Sequence, residues 1–195
     1  MLRLSLLTAL VGLAPALTFV PTLSHLNTDG PRAGTWRLDP QRSVVEFTVT
    51  KLGFADVTGR FLDFAGRVRY DAAQPEHSSV EWIVTVASVR TDAANRDRSL
   101  QAPEYFDAER YPELSFRSTR VTRLEDGRLR VEGTITIRGT SRPMIVMANA
   151  IDGGFETRFE LDRYDFGIVG GRVMSRLIGR TVRIHLRAVA DREDT

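Results

Sequence analysis

Histidine and cysteine side chains carry much of protein catalysis and metal binding, and this chain has few of either. It contains no cysteine and three histidines, His25, His77 and His185. None of the three has a second histidine or a carboxylate at the spacing of a metal-binding pair. The lack of cysteine excludes disulfides, thiolate metal sites and a cysteine nucleophile. From these residue types we predict no metal site.

Two further patterns of catalytic chemistry are also missing. A serine-histidine-aspartate triad would need His77 or His185 beside a serine, and no G-x-S-x-G motif supports such a serine. The glycines in residues 167–171 (GIVGG) lack the G-x-G-x-x-G spacing and the following helix of a phosphate-binding loop. We therefore identify no catalytic residues and expect no cofactor.

The charge of the chain does not indicate a nucleic-acid partner. The sequence pI is about 9.4, yet 27 basic residues face 25 acidic ones, for a net charge of +2. All the basic residues except Lys51 are arginine. Because few groups titrate between carboxylates and tyrosine, a small positive charge persists to high pH and raises the pI.

The first residues have the pattern of an export signal. Arg3 precedes an apolar run over residues 4–13, and Ala14-Pro15-Ala16 fits a small-x-small cleavage site. We predict a signal peptide over residues 1–16 and a periplasmic or extracellular location. The alternative is an uncleaved membrane anchor over residues 4–23. A linker over 17–34, one folded domain over 35–190 and a tail over 191–195 follow.

Most of the domain alternates apolar and polar residues with a period of two. In residues 128–138, Leu129, Val131, Ile135 and Ile137 share one face, and charged or hydroxyl side chains share the other. Residues 43–49, 155–162 and 181–188 repeat the pattern. This alternation predicts antiparallel strands with one face in water.

About eight such strands predict either a β-barrel or a β-sandwich. Asp126-Gly127 predicts a hairpin turn. Residues 92–100 break the alternation and predict a short helix, with Thr91 as its N-cap. A sandwich would use its large apolar residues as packed core, whereas an eight-stranded barrel can hold one small ligand. The alternation does not separate these two cases.

An ordered series of segments resembles the YceI-like family of lipid- and polyisoprenoid-binding proteins. The segments extend from residue 36 to residue 188, and the clearest are 36–40 (WRLDP), 43–47 (SVVEF), 57–61 (VTGRF), 95–97 (NRD), 133–139 (GTITIRG) and 161–167 (LDRYDFG). The resemblance implies a lipocalin-like, eight-stranded antiparallel β-barrel with a short helical insert, which encloses an isoprenoid chain. It implies export and no catalytic activity.

One position departs from the family pattern. Family members commonly carry R-D-x-H-L where residues 96–100 of this chain read RDRSL, so that Ser99 stands in the histidine's place. A head group held by that histidine would meet a different side chain here. Arg98 could compensate or select another head group.

The resemblance also suggests which residues contact a ligand. An anionic head group would suit arginine, and we nominate Arg96 first, followed by Arg98 and Arg163. The alternative for Arg96 is an ion pair with Asp97 that pins the helix to the barrel. For the pocket wall we nominate Val45, Phe47, Phe64, Trp82, Phe106, Phe116, Ile135 and Phe159. The alternation assigns these side chains a face but not a depth, so each could instead pack under the helix.

The expected function is non-enzymatic binding, transport or storage of an amphiphilic isoprenoid, a polyprenyl lipid or a quinone. That lipid is the only expected partner, with no nucleic acid and no other cofactor. The N-terminal segment would provide any membrane association, and the sequence is compatible with a homodimer without indicating one. The alternatives are an enzyme or stress-response factor acting on lipid or quinone, and an oligonucleotide-binding barrel. The second alternative is disfavoured because phenylalanine and arginine lie on opposite strand faces.

Overall fold

The structure is a computed structural model that describes residues 33–71, 73–171 and 174–193. The predicted signal peptide (1–16), the alternative anchor (4–23) and all but the end of the linker (17–34) lie outside the described residues. The folded domain begins with its first strand at Gly34, one residue from the predicted start.

Eleven strands and two short helices make up the described chain. The strands are β1 (Gly34–Leu38), β2 (Val44–Lys51), β3 (Ala55–Phe61), β4 (Phe64–Tyr70), β5 (Ser79–Thr85), β6 (Val89–Arg90), β7 (Glu113–Arg123), β8 (Leu129–Ile137), β9 (Thr140–Ile151), β10 (Gly154–Asp162) and β11 (Ile178–Arg192). The helices are α1 (Ala94–Gln101) and α2 (Met174–Leu177). Single 3-10 turns lie at Pro75–His77, Val86–Ser88 and Arg163–Phe166.

The strands form a closed antiparallel barrel. Eight of them follow one another around the ring in the order β1-β4-β5-β7-β8-β9-β10-β11, and pairing of β1 with β11 closes it. The long strand β11 also pairs with β2, so that β2 continues β1 after an irregular segment at residues 39–43. In the same way β3 pairs with β2 where β4 pairs with β1. The predicted all-β, eight-stranded barrel is confirmed.

The predicted hairpin turn at Asp126-Gly127 is also confirmed. It joins β7 to β8, and the backbone N–H of Leu124 donates to the carbonyl of Arg128 over 2.8 Å. Gly127 has a φ of 83°. Such a left-handed conformation carries no steric penalty for glycine, and it lets the chain reverse within the turn.

The helix begins later than the sequence predicted, and Thr91 does not cap it. The N-cap position of α1 is Ala93, which makes no side-chain capping bond. Asp92 has a φ of 60°, so the chain turns in the left-handed region before the first helical residue. The hydroxyl of Thr91 is bound to Asp97 instead. The N-cap prediction was wrong because this turn shifts the start of the helix to Ala94.

The two ends of the barrel differ. One end of the barrel carries the turns at residues 51–55 and 138–139 and the segment between β6 and β7 that includes α1. We call it the helical end. At the terminal end, the turns at residues 124–128 and 152–153 lie on the side where β1 begins. Two of the buried clusters span the barrel interior between these ends, and a third fills the helical end.

Candidate functional site

The interior of the barrel is not filled by side chains. It contains a cavity of about 180 Å³ that extends along the barrel and is lined almost entirely by apolar side chains. The structure places six of the eight nominated wall residues in this lining: Val45, Phe47, Trp82, Phe116, Ile135 and Phe159. The sequence left open whether the large apolar residues form a packed core or surround a space for a ligand. The structure has such a space, which a packed core would not leave.

The other two nominated wall residues lie outside the cavity lining. Phe64 is buried and stacks on Trp82, with ring centroids 5.7 Å apart. It lies on the inward face of β4, which it shares with the lining residues Val68 and Tyr70. Phe106 packs against Phe61 at 5.8 Å, with the two rings in an edge-on arrangement. A period of two assigns a side chain to a face of the sheet and cannot say how far along the barrel the cavity extends.

Several lining residues were not nominated from the sequence. Phe155, Val131 and Leu161 share the inward face with nominated neighbours on β8 and β10, so the same alternation identifies them. Tyr70 and Met144 belong to less regular strands, and only the register of the closed sheet brings them to the cavity. The other apolar side chains of the lining are Phe61, Val68, Val80, Val84, Leu114, Val121, Leu129, Ile137, Val146, Ala148, Ile184, Leu186 and Ala188.

The few polar groups of the lining have partners within the protein. The hydroxyl of Ser78 accepts from the backbone N–H of Asp71 over 2.9 Å, and Thr157 Oγ1 donates to the Met147 carbonyl over 2.7 Å. Among the described residues, Trp82 Nε1 is the one buried side-chain nitrogen or oxygen that has no hydrogen-bond partner. The cavity wall therefore offers burial to a ligand and almost no directional polar contact.

Two glutamates contribute atoms to the lining, but their carboxylates are paired elsewhere. Glu46 binds Arg60 at 2.8 Å. Glu156 binds His185 Nε2 at 2.6 Å, and this hydrogen bond, more than the nearby Arg158, lowers the pKa of the Glu156 carboxyl below its usual value. Charge is thus absent from the part of the cavity that these strands form, as an apolar ligand requires.

Arg96 belongs to α1 and lies outside the cavity lining. Its Nε donates to Thr91 Oγ1 over 2.8 Å, and its Nη2 donates to the Thr91 carbonyl. The buried carboxylate of Asp97 accepts from the backbone N–H of Thr91 over 2.8 Å and from the Thr91 hydroxyl. The alternative of an Arg96–Asp97 ion pair is therefore corrected: within the described chain both side chains pin α1 by binding Thr91, not each other.

Arg98 and Ser99 lie on the exposed face of α1. Arg98 Nη2 binds the side-chain oxygen of Asn95, and Ser99 Oγ donates to the Asn95 carbonyl over 2.9 Å. The residue that replaces the family histidine is thus bound to its own helix. Neither side chain reaches the cavity lining, and a head-group contact by Arg98 stays a prediction.

Arg163 is buried in the segment between β10 and β11. Its guanidinium donates to five backbone carbonyls, those of Ile168, Val169, Ser175, Ile178 and Gly179, over 2.6 to 3.3 Å. It also lies 4.6 Å from the centre of the Tyr164 ring. This arrangement ties the chain after β10 to the start of β11, and it occupies every nitrogen of the guanidinium.

The described residues show no other chemical centre. No group of three or more histidine, aspartate and glutamate side chains among them could hold a metal ion. No helix in that part of the chain is both long enough and apolar enough to cross a membrane. The arginines of the outer strand faces pair with carboxylates, for example Arg183 with Asp56 and Arg180 with Asp162. Each such exposed pair contributes little stability.

A closed eight-stranded antiparallel barrel around an apolar cavity is the architecture of the lipocalin-like class of small-molecule binders. The sequence places the chain more narrowly. Residues 36–190 match the model of the YceI-like domain, and the chain belongs to that family. The predicted family membership is confirmed.

Bacterial relatives support the assignment. A UPF0312 protein of Pseudomonas fluorescens is 34% identical over 142 residues, which are 65% of this chain and 72% of that protein. A UPF0312 protein of Photorhabdus laumondii is 32% identical over 143 residues, which are 69% of this chain and 74% of that protein.

Solved structures share the fold. BcnA of Burkholderia cenocepacia superposes with a TM-score of 0.74 at 22% identity, over 79% of this chain and 99% of BcnA. A polyisoprenoid-binding domain from Saccharophagus degradans superposes with a TM-score of 0.64 at 16% identity, over 81% of this chain and 98% of that domain. At these identities the likeness shows a common fold.

Proposed function

We propose that this protein binds an amphiphilic isoprenoid, a polyprenyl lipid or a quinone, inside its barrel and carries or stores it without a catalytic step. The observation that carries the proposal is the apolar cavity of about 180 Å³ within a closed barrel. A protein of this size can fill its core with its own side chains. A cavity lined by aromatic and branched side chains favours a ligand with an apolar chain.

The energetics of such binding are those of the hydrophobic effect. Burying apolar surface releases roughly 25 cal/mol per Å², and an isoprenoid chain is apolar along its whole length. Such a chain leaves the hydrogen bonds of Ser78 and Thr157 in place, so its burial takes no partner away from a polar group of the lining. The polyisoprenoid-binding neighbour from Saccharophagus degradans supports this ligand class.

The proposal includes a location outside the cytoplasm. The apolar run after Arg3 and the Ala14-Pro15-Ala16 site support export. No other cofactor is part of the proposal, since the bound isoprenoid is itself the ligand.

Native mass spectrometry of the protein purified from its own host, joined to analysis of a solvent extract, tests the proposal. We expect a population heavier than the polypeptide by the mass of one isoprenoid that is recovered in the extract. A polypeptide of apo mass, with no isoprenoid in the extract, would contradict it.

A pair of neighbouring substitutions on β9 provides the control. Ala148 is buried and lines the cavity, whereas Asn149 is exposed on the outer face. Ala148→Phe fills part of the cavity and should reduce the bound isoprenoid at least tenfold. Asn149→Phe adds a ring of similar size outside and should leave the bound amount unchanged. Circular dichroism confirms that both variants are folded.

A further inference from the structure

Aromatic side chains pack at both ends of the barrel. At the helical end, Phe166 and Ile168 are buried against Ile137, and Phe106 packs beside them. At the terminal end, Tyr70 and Phe155 meet edge to face with ring centroids 5.6 Å apart. A ligand that used either end would have to break one of these clusters.

Strand pairing in the side wall stops early between β9 and β10. Their pairing runs from Gly154↔Ile151 to Thr157↔Ala148 and stops there. Both strands continue on their other sides, β9 with β8 up to Ile137↔Thr140 and β10 with β11 up to Asp162↔Thr181. Residues 140–147 and 158–162, all described, thus face each other without strand pairing. Five extended residues correspond to an opening roughly 16 Å long. We call this opening the β9–β10 slit.

Specific contacts mark the two limits of the slit. At the end of the slit next to the last strand pair, the side chain of Thr157 donates to the Met147 carbonyl over 2.7 Å, where the next backbone pair would otherwise form. At the outer limit, the guanidinium of Arg142 donates to the Asp165 carbonyl over 3.3 Å. Pro143, which has no N–H to pair, lies in the open half of β9, as expected of an unpaired strand edge. The slit is therefore a regular feature of these strands.

An apolar path leads through the slit. On the outside, Ile145 and Met147 of β9 are 52% and 37% exposed, although most large apolar side chains of the barrel are covered. On the inside, Met144 of β9 and Phe159 and Leu161 of β10 line the cavity. Apolar side chains thus continue from the outer surface to the interior.

The lining of the cavity gives the slit a further use. The cavity is lined almost entirely by apolar side chains, so it suits the apolar tail of an amphiphile and not its polar head group. The unpaired backbone N–H and C=O groups along the slit can bind a polar head group, because an exposed strand edge offers both donors and acceptors. An amphiphile with its tail in the cavity and its head group at the slit would place the tail against apolar side chains and the head group against unpaired backbone groups.

We propose that the amphiphile enters and leaves the barrel sideways through the β9–β10 slit, with its head group resting on the unpaired strand edges. This inference rests on the proposed function, since it concerns the route of that ligand. It differs from a route through the ends of the barrel, which the two aromatic clusters obstruct.

The absence of cysteine makes a crosslinking test direct. If the pairing of β9 with β10 were extended, Ile145 would face Glu160, and both side chains are exposed. Ile145→Cys with Glu160→Cys places one thiol on each of the two strands that border the slit. The matched control is Glu160→Cys with Arg183→Cys, because those residues are already paired across the closed β10–β11 seam.

Each variant is loaded with decylubiquinone, freed of excess ligand, and joined with a reducible bis-methanethiosulfonate linker. Release of the quinone to an excess of phosphatidylcholine vesicles is then followed over time. We expect release from the crosslinked slit to be at least tenfold slower than from the wild type and to recover on reduction. The crosslinked control should release at the wild-type rate.

The outcomes separate the two proposals. If the wild type retains no decylubiquinone and protein from its own host yields no isoprenoid in the solvent extract, the proposed function fails and this inference fails with it. If loading is normal and the crosslinked slit releases quinone as fast as the control, the proposed function stands and the sideways route is wrong.

A second pair of variants keeps the route testable if the cysteine variants fold poorly. Ile145→Ser with Met147→Ser makes the outer lip polar and should slow loading about threefold or more. Phe54→Ser removes a side chain that is 81% exposed on the distant β2–β3 turn and should leave loading unchanged. Equal rates for the two variants would overturn the inference.

Discussion

At the scale of single residues, Arg163 shows how a candidate ligand contact can have a structural role. An arginine in a family motif suits an anionic head group, and its sequence context does not reveal its surroundings. The structure surrounds it with five carbonyl acceptors. A planar guanidinium has donors in fixed directions and can bind such a set of carbonyls better than a lysine ammonium can.

Replacing Arg163 should therefore affect folding more than binding. Arg163→Met leaves several buried carbonyls without donors and should lower the free energy of unfolding by about 2–4 kcal/mol. Arg163→Lys should recover only part of this loss. Urea denaturation measures the change, with Arg183→Met, which removes one exposed ion pair with Asp56, as a control expected within about 0.5 kcal/mol of wild type. Equal losses for Arg163→Met and the control would contradict the structural role.

Trp82 provides a residue-scale probe of the cavity. Its ring lines the cavity, stacks on Phe64 and is 8% exposed. A tail that carries bromine should quench its emission by contact when that tail lies in the cavity, wherever the head group rests. In a Trp36→Phe background, where Trp82 is the remaining tryptophan, we expect a saturating decylubiquinone analogue with a brominated tail to remove at least half of the fluorescence. Unchanged emission at saturation would show that the tail binds away from Trp82.

At the scale of elements, α1 is attached to the barrel by a polar contact. The helix has eight residues and lacks a side-chain N-cap, and a helix this short has little stability of its own. Thr91 lies directly after β6, and Asp97 binds both its backbone N–H and its hydroxyl. Of the two α1 side chains that bind Thr91, Asp97 is the buried one, and Arg96 is the other.

Removing that carboxylate should release the helix while the barrel stays intact. Asp97→Ala leaves the Thr91 N–H without its acceptor and should reduce the local stability by about 1.5–3 kcal/mol. Hydrogen exchange at the amides of residues 94–101 should then be at least tenfold faster, with little change in β8. Glu109→Ala, at an exposed position of the same connecting segment, is a comparison variant that should leave this exchange unchanged. Protection of α1 equal to wild type in Asp97→Ala would show that other contacts hold the helix.

The elements also show how far the sequence predicts this fold. Strict alternation in β8, β10 and β11 identifies the strands and their inward faces, because burial on one side of a sheet follows a period of two. The sequence does not show that β2 continues β1 along the barrel wall, since this depends on where β11 changes partner from β2 to β1. The extent of the cavity is not visible either: Phe64 and Phe47 are both inward-facing residues of their strands, yet only Phe47 lines the cavity. The β9–β10 slit depends on where strand pairing stops, and no residue type predicts that point.

At the scale of the whole molecule, the charges form a network of arginine–carboxylate pairs on the outside of an apolar barrel. With no cysteine, no disulfide holds the barrel closed, and strand pairing and apolar burial must do so. The side-chain hydrogen bonds of arginine lower the pKa values of Asp39, Asp56, Asp126, Asp162 and Glu193, and that of His185 lowers the pKa of Glu156.

These lowered pKa values determine how stability depends on pH. In the unfolded chain the carboxyls bind protons near pH 4, whereas in the folded barrel they bind them at lower pH. Their contribution is therefore fully present above about pH 4 and is lost as the pH falls through the folded pKa values. Because the pairs are exposed and screened by solvent, each contributes little, and the loss should appear as a gradual decline.

We expect the midpoint of thermal unfolding to be nearly constant from pH 5 to pH 9 and to decrease steadily below pH 4. The plateau extends to alkaline pH because arginine stays protonated there, and hydrogen bonds to carboxylates raise the pKa values of Arg42, Arg128 and Arg180 further. Circular dichroism melts in constant ionic strength measure the profile. Added salt at pH 7 should reduce the difference from pH 3, since it screens the same pairs. A midpoint that stays constant to pH 3, or rises on acidification, would show that these pairs do not stabilise the barrel.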